Sequence, residues 1–340
     1  MGAAVLPRVL SLLRSKVVRV AFLLVALVLA GAYVVRERSA IADAAARLDV
    51  GSVLLALLCS LANVALSGAS WRAVLTDLGS PLGWRAASRV FFIGQLGRYI
   101  PGTVFQFLAQ AELARDHGVP RRRTASALAV ALLVSMTTAS LLVTGVLPVA
   151  LSVGSTGGLG DLDGWEWTSW LRLLTPVLLV LLIPAVLNPL LRVVLNIARQ
   201  PPLEHPLTGR GLLASAGWAL LSWLAVGLQV FVLSRAVGAD LDPASMVALA
   251  VGGYALAWLV GFLVIFAPAG AGAREVVLGA VVALAVGGGG ATVVVLGSRV
   301  LLTLADLLLA ASALLGARSL SARSPGTRSR VEPDEPDEGA

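Results

Sequence analysis

Apolar runs of about 20 residues recur along this sequence, and a bilayer leaves such a run essentially one fold. Every backbone N–H and C=O inside hydrocarbon must find its partner within the segment, so the run becomes a helix. Composition agrees: 58% of residues are hydrophobic and 13% charged, whereas a soluble domain is about one-quarter charged. The expected fold is all-α, a polytopic membrane protein. The formal net charge of +7 does not argue for nucleic acid as a partner. The arginines sit in short loops between apolar runs, which is how a topology signal looks. Cys59 is the only cysteine, lies in an apolar run, and reads as a small buried side chain.

Two interruptions narrow the fold further. The stretch Gly94-Gln95-Leu96-Gly97-Arg98-Tyr99-Ile100-Pro101-Gly102-Thr103-Val104-Phe105-Gln106 holds an arginine, two glutamines and a Pro-Gly break within an apolar segment. The stretch Phe266-Ala267-Pro268-Ala269-Gly270-Ala271-Gly272-Ala273-Arg274-Glu275 is a second break. Polar, broken backbone at membrane depth is tolerated only inside protein or beside a water-filled cavity. The two breaks are therefore expected to face each other.

The chain reads as a basic cytoplasmic N-terminus (1–16), a membrane domain (17–318) and a disordered, Pro- and acid-rich tail (319–340). Six full spans are expected at about 20–35, 50–71, 124–151, 170–190, 211–233 and 291–316, the fourth kinked by its prolines. The segments 84–118 and 244–286 read as broken helix pairs, the first favoured as re-entrant by Arg98 and Pro101-Gly102. A Gly-rich acidic loop with clustered tryptophans precedes the fourth span. Arginines crowd the loops on the N-terminal side, so both termini are expected in the cytoplasm of a cell in whose plasma membrane the protein sits. Each half (about 50–151 and 211–316) then reads span, broken pair, span, the first pair opening inward and the second outward. That is an inverted repeat, a common transporter plan with the site at the repeat interface.

Gln95 through Gly102, with Glu112 and Gly118 downstream, resembles the first signature of the flippase-like family, which includes the membrane region of lysylphosphatidylglycerol synthases. Pro268 through Glu275 resembles its second signature, a Pro, spaced glycines and a Glu. The resemblance covers roughly 15–318. It implies movement of a lipid with a polar or phosphorylated head between leaflets. Many relatives carry a Gly-Asp pair after the first Pro; Thr103 to Gln106 stands there here, which implies a difference in substrate recognition. Lysyl-lipid synthases continue into a large soluble catalytic domain. Only about two dozen polar residues follow Gly316 here, so aminoacyl-lipid synthesis is not expected.

The candidate substrate-binding residues follow from the two breaks. Half-helices starting near Thr103 and Ala271 would expose N–H groups suited to phosphate. Gly270 and Gly272 let a headgroup approach the backbone, and Arg98 and Arg274 add forked cationic donors. The competing reading is that Pro101, Gly102, Pro268 and these glycines only allow close packing. Gln95 shares a face with Arg98, and Thr103, Gln106 and Gln110 form a stripe that serves either headgroup hydroxyls or interhelical contacts. Glu112 pairs with Arg115 or contributes to the site. Glu275 neutralises Arg274 or accepts a proton. Arg299 and Asp306 share a face about 10 Å apart, and Asp306 is either functional or in a static buried pair.

No metal site, phosphate-binding Gly-Lys-Thr loop or nucleophile–base pair is legible, so no cofactor and no enzymatic activity are expected. The expected function is that of a flippase or transporter with a membrane lipid as substrate. The alternatives are a membrane-embedded transferase acting on a lipid-linked sugar or phospholipid, and an accessory subunit of a synthase. A separate synthase or glycosyltransferase is a candidate partner.

Overall fold

A computed structural model describes residue 35 and residues 38–99, 105–148, 169–263 and 272–321. The expected first span up to residue 34, the Gly-rich acidic loop, and the tail beyond 321 lie outside the described residues. Those described form helices, with no strand among them: α1 (Arg38–Ala46), α2 (Val50–Asp77), α3 (Trp84–Gln95), a short 3-10 turn (Leu96–Tyr99), α4 (Phe105–Arg115), α5 (Arg121–Gly145), α6 (Ser169–Leu181), α7 (Pro184–Ile197), α8 (Gly209–Ala236), α9 (Pro243–Leu263) and α10 (Ala273–Ser321).

The central pair is α2 and α8, each 28 residues long. Local chemistry fixes both ends of each. The Asp49 carboxylate accepts the Ser52 N–H at 2.9 Å, and the Thr208 hydroxyl accepts the Gly211 N–H at 3.1 Å, so each supplies an N-cap. Gly79 (φ 79°) and Gly238 (φ 105°) close the C-termini. Ser80 N–H reaches Leu75 O at 3.1 Å and Ala239 N–H reaches Ser234 O at 2.9 Å, the pattern a left-handed glycine allows. The two N-caps, like the two closing glycines, stand 159 positions apart, the separation of the Asn63–Ser222 pair at the helices' crossing.

The two helices run antiparallel. Asn63 Nδ2 donates to Ser222 Oγ at 2.8 Å, Ser70 and Ser215 hydroxyls meet at 2.9 Å, and Gln229 Nε2 donates to Ser60 Oγ at 2.8 Å. Small polar side chains between apolar faces are what membrane helices use to associate, since lipid gives no hydrophobic push. At Gly227 the backbones come so close that a Cβ would lie 2.8 Å from the Val251 Cα on α9.

The ends of the bundle are marked by contacts. At one end Asp77 accepts from Thr208, N–H at 2.7 Å and hydroxyl at 2.8 Å, and Arg123 donates to Gly79 O at 3.1 Å. At the other, Arg47 donates to Val237 O at 3.2 Å, and Ala40 backbone crowds Gly289. The chain between Gly79 and Arg123 thus leaves and returns at one end. Within it α3 and α4 have 12 and 11 residues, about 18 Å each, too short to cross about 30 Å of hydrocarbon. They pack on one another as a hairpin.

The long helix α10 is a hairpin as well. Gly287 is non-helical (φ 69°, ψ 174°). In a straight helix Glu275 and Arg299 would be about 36 Å apart; their 2.7 Å ion pair requires the arms 273–286 and 288–321 to fold back on each other. Gly279 facing Val295 at 3.8 Å agrees. Of the expected loop Gly287 to Gly290, only Gly287 leaves the helix.

Several expectations change. Five described helices are long and apolar enough to cross a membrane, including α9 and α10 taken whole, and a sixth counts only if a bent pair is one span. That pair replaces the expected single span at 170–190: 173–181 and 184–197 meet at 77°. Ile183 is extended (φ −62°, ψ 125°) and Pro184 starts α7, which fits the constraint a proline puts on its predecessor. Arg121, Arg122 and Arg123 are the first turn of α5 rather than a loop. Cations there oppose the helix dipole; Glu112 pairs with Arg121, and Glu204 with Arg122 and Arg123, offsetting them. The helix continues to Ser321, past the expected start of the tail.

Two measurements check this packing. Gly227→Ala should destabilise the detergent-purified protein by about 1–3 kcal/mol through overpacking against α9; an unchanged melting temperature would contradict the close approach. Glu204 is held at about 2, below the ordinary 4.5, first by the Arg123 hydrogen bond. Its contribution is complete above the ordinary value and lost as pH falls toward the folded one. The stability gap between the parent and Glu204→Gln should therefore shrink as pH drops from about 5 to 2, whereas a constant gap would rule out this carboxylate as the source.

Candidate functional site

The candidate site lies where both interruptions come against the second arm of α10. The 3-10 turn Leu96–Tyr99 ends the inward course of α3 and carries Arg98 and Tyr99 to Asp306. The Tyr99 hydroxyl donates to Asp306 Oδ2 at 2.6 Å, and the Arg98 guanidinium pairs with the same oxygen. The Asp306 side chain is fully buried. Its Oδ1 has no hydrogen-bond partner among the described residues.

Two turns away on the same arm, Arg299 donates to Glu275 Oε1 at 2.7 Å. The other Glu275 oxygen accepts the Gly272 N–H at 2.7 Å, where Gly272 is left-handed (φ 94°). One carboxylate therefore holds the start of α10 and bridges its arms. Arg274 turns elsewhere. Its guanidinium lies 4.5 Å from the centre of the Tyr254 ring on α9, within range of a cation–π attraction. It makes no hydrogen bond or ion pair among the described residues. Tyr254, Arg274, Glu275, Ser298 and Arg299, with Leu278, Val295 and Leu302, line a narrow cleft of about 10 Å³, room for about one water. Arg274 is within electrostatic reach of both Arg299 and Arg98.

The sequence-derived candidates separate into three groups. Arg98, Gly272, Arg274, Glu275, Arg299 and Asp306 gather around the second arm of α10. Pro101, Gly102, Thr103, Pro268 and Gly270 lie outside the described residues, as does Ala271. Gln95, Gln106, Gln110 and Glu112 do not line the cleft, and of the first group only Arg274, Glu275 and Arg299 do. Gln106 donates to Gln95 across the α3–α4 hairpin. Gln110 is fully buried against Gly94, where a Cβ would lie 2.1 Å from its Cγ. Glu112 is at the bundle end, paired with Arg115 at 2.8 Å and with Arg121.

One further expectation is corrected. Glu275 pairs with Arg299 and not with Arg274, because consecutive helical residues point to different faces. At the start of α10 Glu275 takes the Gly272 N–H. Tyr99, Tyr254 and Ser298 are not among the candidates the sequence suggests, although Tyr99 lies within the first interruption. A lone tyrosine in the Gly-rich α9 was the one available signal. Among the described residues no group of three His, Cys, Asp or Glu could hold a metal.

The chain matches the family described as the lysylphosphatidylglycerol synthase TM region over residues 16–310. It belongs to that family. No curated protein matches it. Membership in the lysylphosphatidylglycerol synthase TM-region family, together with the five long apolar helices, makes this a multi-pass membrane protein related to lipid-modifying synthases. The match runs through α1 to α9 and through Asp306, so every ionisable group of the site lies inside it.

Asp306→Asn should destabilise the protein by roughly 2–3 kcal/mol, less than orphaning a wholly buried charge, because Arg98 is 30% exposed. Adding Arg98→Gln should recover most of the loss, since the unpaired cation is then gone. Thermal melting of the parent, both single variants and the double variant checks this; strictly additive losses would contradict a direct pair.

Proposed function

We propose that the protein moves a polar-headed, phosphate-bearing lipid between leaflets of the plasma membrane and carries out no covalent chemistry. The observation that carries this reading is the cleft at Arg274, an arginine without a carboxylate partner among the described residues, set beside a second arginine on a folded-back helix. A guanidinium fork suits phosphate oxygens, and an ionisable group at membrane depth is a functional candidate by default.

The reading includes an inverted repeat of α2–α5 and α8–α10. What supports it is the shared 159-position offset of caps and closing glycines in two antiparallel helices. The α3–α4 pair starts and ends at the Asp77 end, and the chain from α9 to Gly287 starts and ends at the opposite one. Rocking of such halves about a fixed site exposes it to alternate sides. In this scheme the Arg98–Tyr99–Asp306 contact closes one approach and is remade in each cycle. Both termini and the Arg121–Arg123 turn lie on the cytoplasmic side, following the arginine distribution. A separate synthase or glycosyltransferase supplies or consumes the lipid.

Reconstitution into liposomes with fluorescent phospholipids tests the proposal. The parent should equilibrate labelled lipid between leaflets. Arg274→Gln and Arg98→Gln should each slow this about tenfold or more, since a lost charged hydrogen bond is worth about 1.5–3 kcal/mol. Parental rates in both variants would defeat the reading. Topology is checked in a Cys59→Ala background: a cysteine at Glu204 should be shielded from an impermeant reagent in intact cells, and one at Asp240 labelled.

A further inference from the structure

We infer that α7 does not cross the bilayer but lies in its surface at the Asp77 end of the bundle. It is an anchoring face whose partner is the adjoining leaflet, with acyl chains under one side of the helix and anionic phospholipid headgroups at its arginines. The inference draws on the membrane class of the chain and on none of the residues at the second arm of α10.

Contacts fix where α7 sits. Asn188 is clamped to Leu207, its Nδ2 donating to Leu207 O and its Oδ1 accepting the Leu207 N–H, both at 2.9 Å. Leu207 precedes Thr208, which bonds Asp77, so α7 lies at that end. α5 leaves the same end, where Arg123 donates to Gly79 O, and runs for 25 residues. The chain has therefore returned by Asn188, and α7 is not needed for the crossing. α6 packs on α5, the Ser140 and Thr175 hydroxyls meeting at 2.5 Å, and α7 turns from α6 by 77°. The 14 residues of α7 extend about 21 Å, short of the roughly 30 Å of hydrocarbon.

Its side chains divide the helix into three faces. Leu187 and Leu195 are buried against the bundle, on the side that Asn188 clamps. Arg192 and Asn196, both exposed, make a polar face. Val186, Leu190, Val193, Val194 and Ile197 make the third, a stripe about 100° wide, and all five are exposed, Ile197 to 78%. In water this stripe would be a contiguous apolar patch. In the membrane surface each face has its own medium: protein, water and acyl chains. Continuity identifies the lipid as the cover. Leu173, Val177 and Val180 on α6, at i, i+4 and i+7, are also exposed, so the apolar flank of a helix packed on a span continues around the bend.

The end of the helix adds charge. Arg199 is left-handed (φ 53°), with its N–H on Asn196 O at 3.0 Å and the Gln200 N–H on Leu195 O at 2.9 Å. A glycine is usual at such a position. An arginine there places a cation at the helix C-terminus, where the dipole favours it. Arginine stems cover apolar surface while their heads reach toward water and phosphate. An amphipathic helix of this kind binds by burying its apolar face and by attraction to anionic lipid.

The test uses the full chain with Cys59→Ala in vesicles of phosphatidylcholine and phosphatidylserine. Single cysteines at Val186, Leu190, Val193 and Ile197 carry an environment-sensitive fluorophore. Nitroxide lipids quench it from near the headgroup or from deep in the acyl region. The shallow nitroxide should quench about twofold or more strongly than the deep one at all four positions, while a label at Asn196 is quenched by aqueous iodide. A crossing helix would change depth by about 16 Å between Val186 and Ile197, so a ratio that inverts along the series overturns the inference. Absence of lipid quenching at all four positions also overturns it, since a second copy or another segment of this chain would then cover the stripe. At Ile197 a shallow nitroxide on phosphatidylserine should quench about fivefold more than the same nitroxide on phosphatidylcholine at equal content, and combining Arg192→Gln with Arg199→Gln should erase the difference. Equal quenching by the two lipids in the parent overturns the anionic preference. Size-exclusion profiles and an unchanged melting temperature establish that each variant is folded.

Discussion

The arrangement depends on one helix arm that carries a cation and an anion two turns apart. Arg299 holds the start of α10 through Glu275, and Asp306 holds the tip of the α3–α4 hairpin through Arg98 and Tyr99. Neither the helices of the α3–α4 hairpin nor the first arm of α10 is long enough to cross a bilayer by itself. Both elements carry polar groups that hydrocarbon would not accommodate. The second arm of α10 gives both of them a partner, and the α2–α8 pair behind it supplies the packing surface. Gln229 links the layers, touching Ser60 on α2 and Ser298 on α10.

Gly287 makes this possible. A left-handed residue in the middle of an otherwise continuous helical stretch folds the two arms together. Positions equally far before and after it then meet, as Glu275 and Arg299 do. The ion pair is therefore a consequence of backbone geometry at a distant glycine. The cleft opens beside that pair, with Arg274 pointing away from it because neighbouring helical residues diverge by about 100°. Among the described residues, the groups that anchor the two segments engage Glu275 and Asp306, and Arg274 is left on the Tyr254 ring without a carboxylate.

Much of this was legible in the sequence, and the limits have physical causes. The all-helical membrane class follows from apolar run length. The two interruptions follow from Arg98 and Arg274 standing within such runs beside prolines. The choice of partners was not legible. Asp306 and Arg98 are 208 residues apart in the chain, and which of three arginines takes which carboxylate is decided by the fold-back at Gly287, which a run of four glycines does not specify. Glu112 and Gln110 look alike as polar residues on a short helix, yet one faces solvent arginines and the other packs beneath Gly94. The bend between α6 and α7 was foreshadowed by Pro176, Pro184 and Pro189, but its 77° amounts to two helices. The matching caps at Asp49 and Thr208 went unread because capping depends on two residues only, too little to stand out between weakly similar halves.

The most direct measurement is a structure determined by electron cryo-microscopy in nanodiscs made with phosphatidylglycerol. The account predicts headgroup density in the cleft, its phosphate within hydrogen-bonding distance of the Arg274 guanidinium, with Glu275 still on Arg299 and Asp306 still on Arg98 or exchanged to a new partner in a rocked state. Density for lipid only along the outer apolar faces, with Arg274 paired to a protein carboxylate, would contradict it.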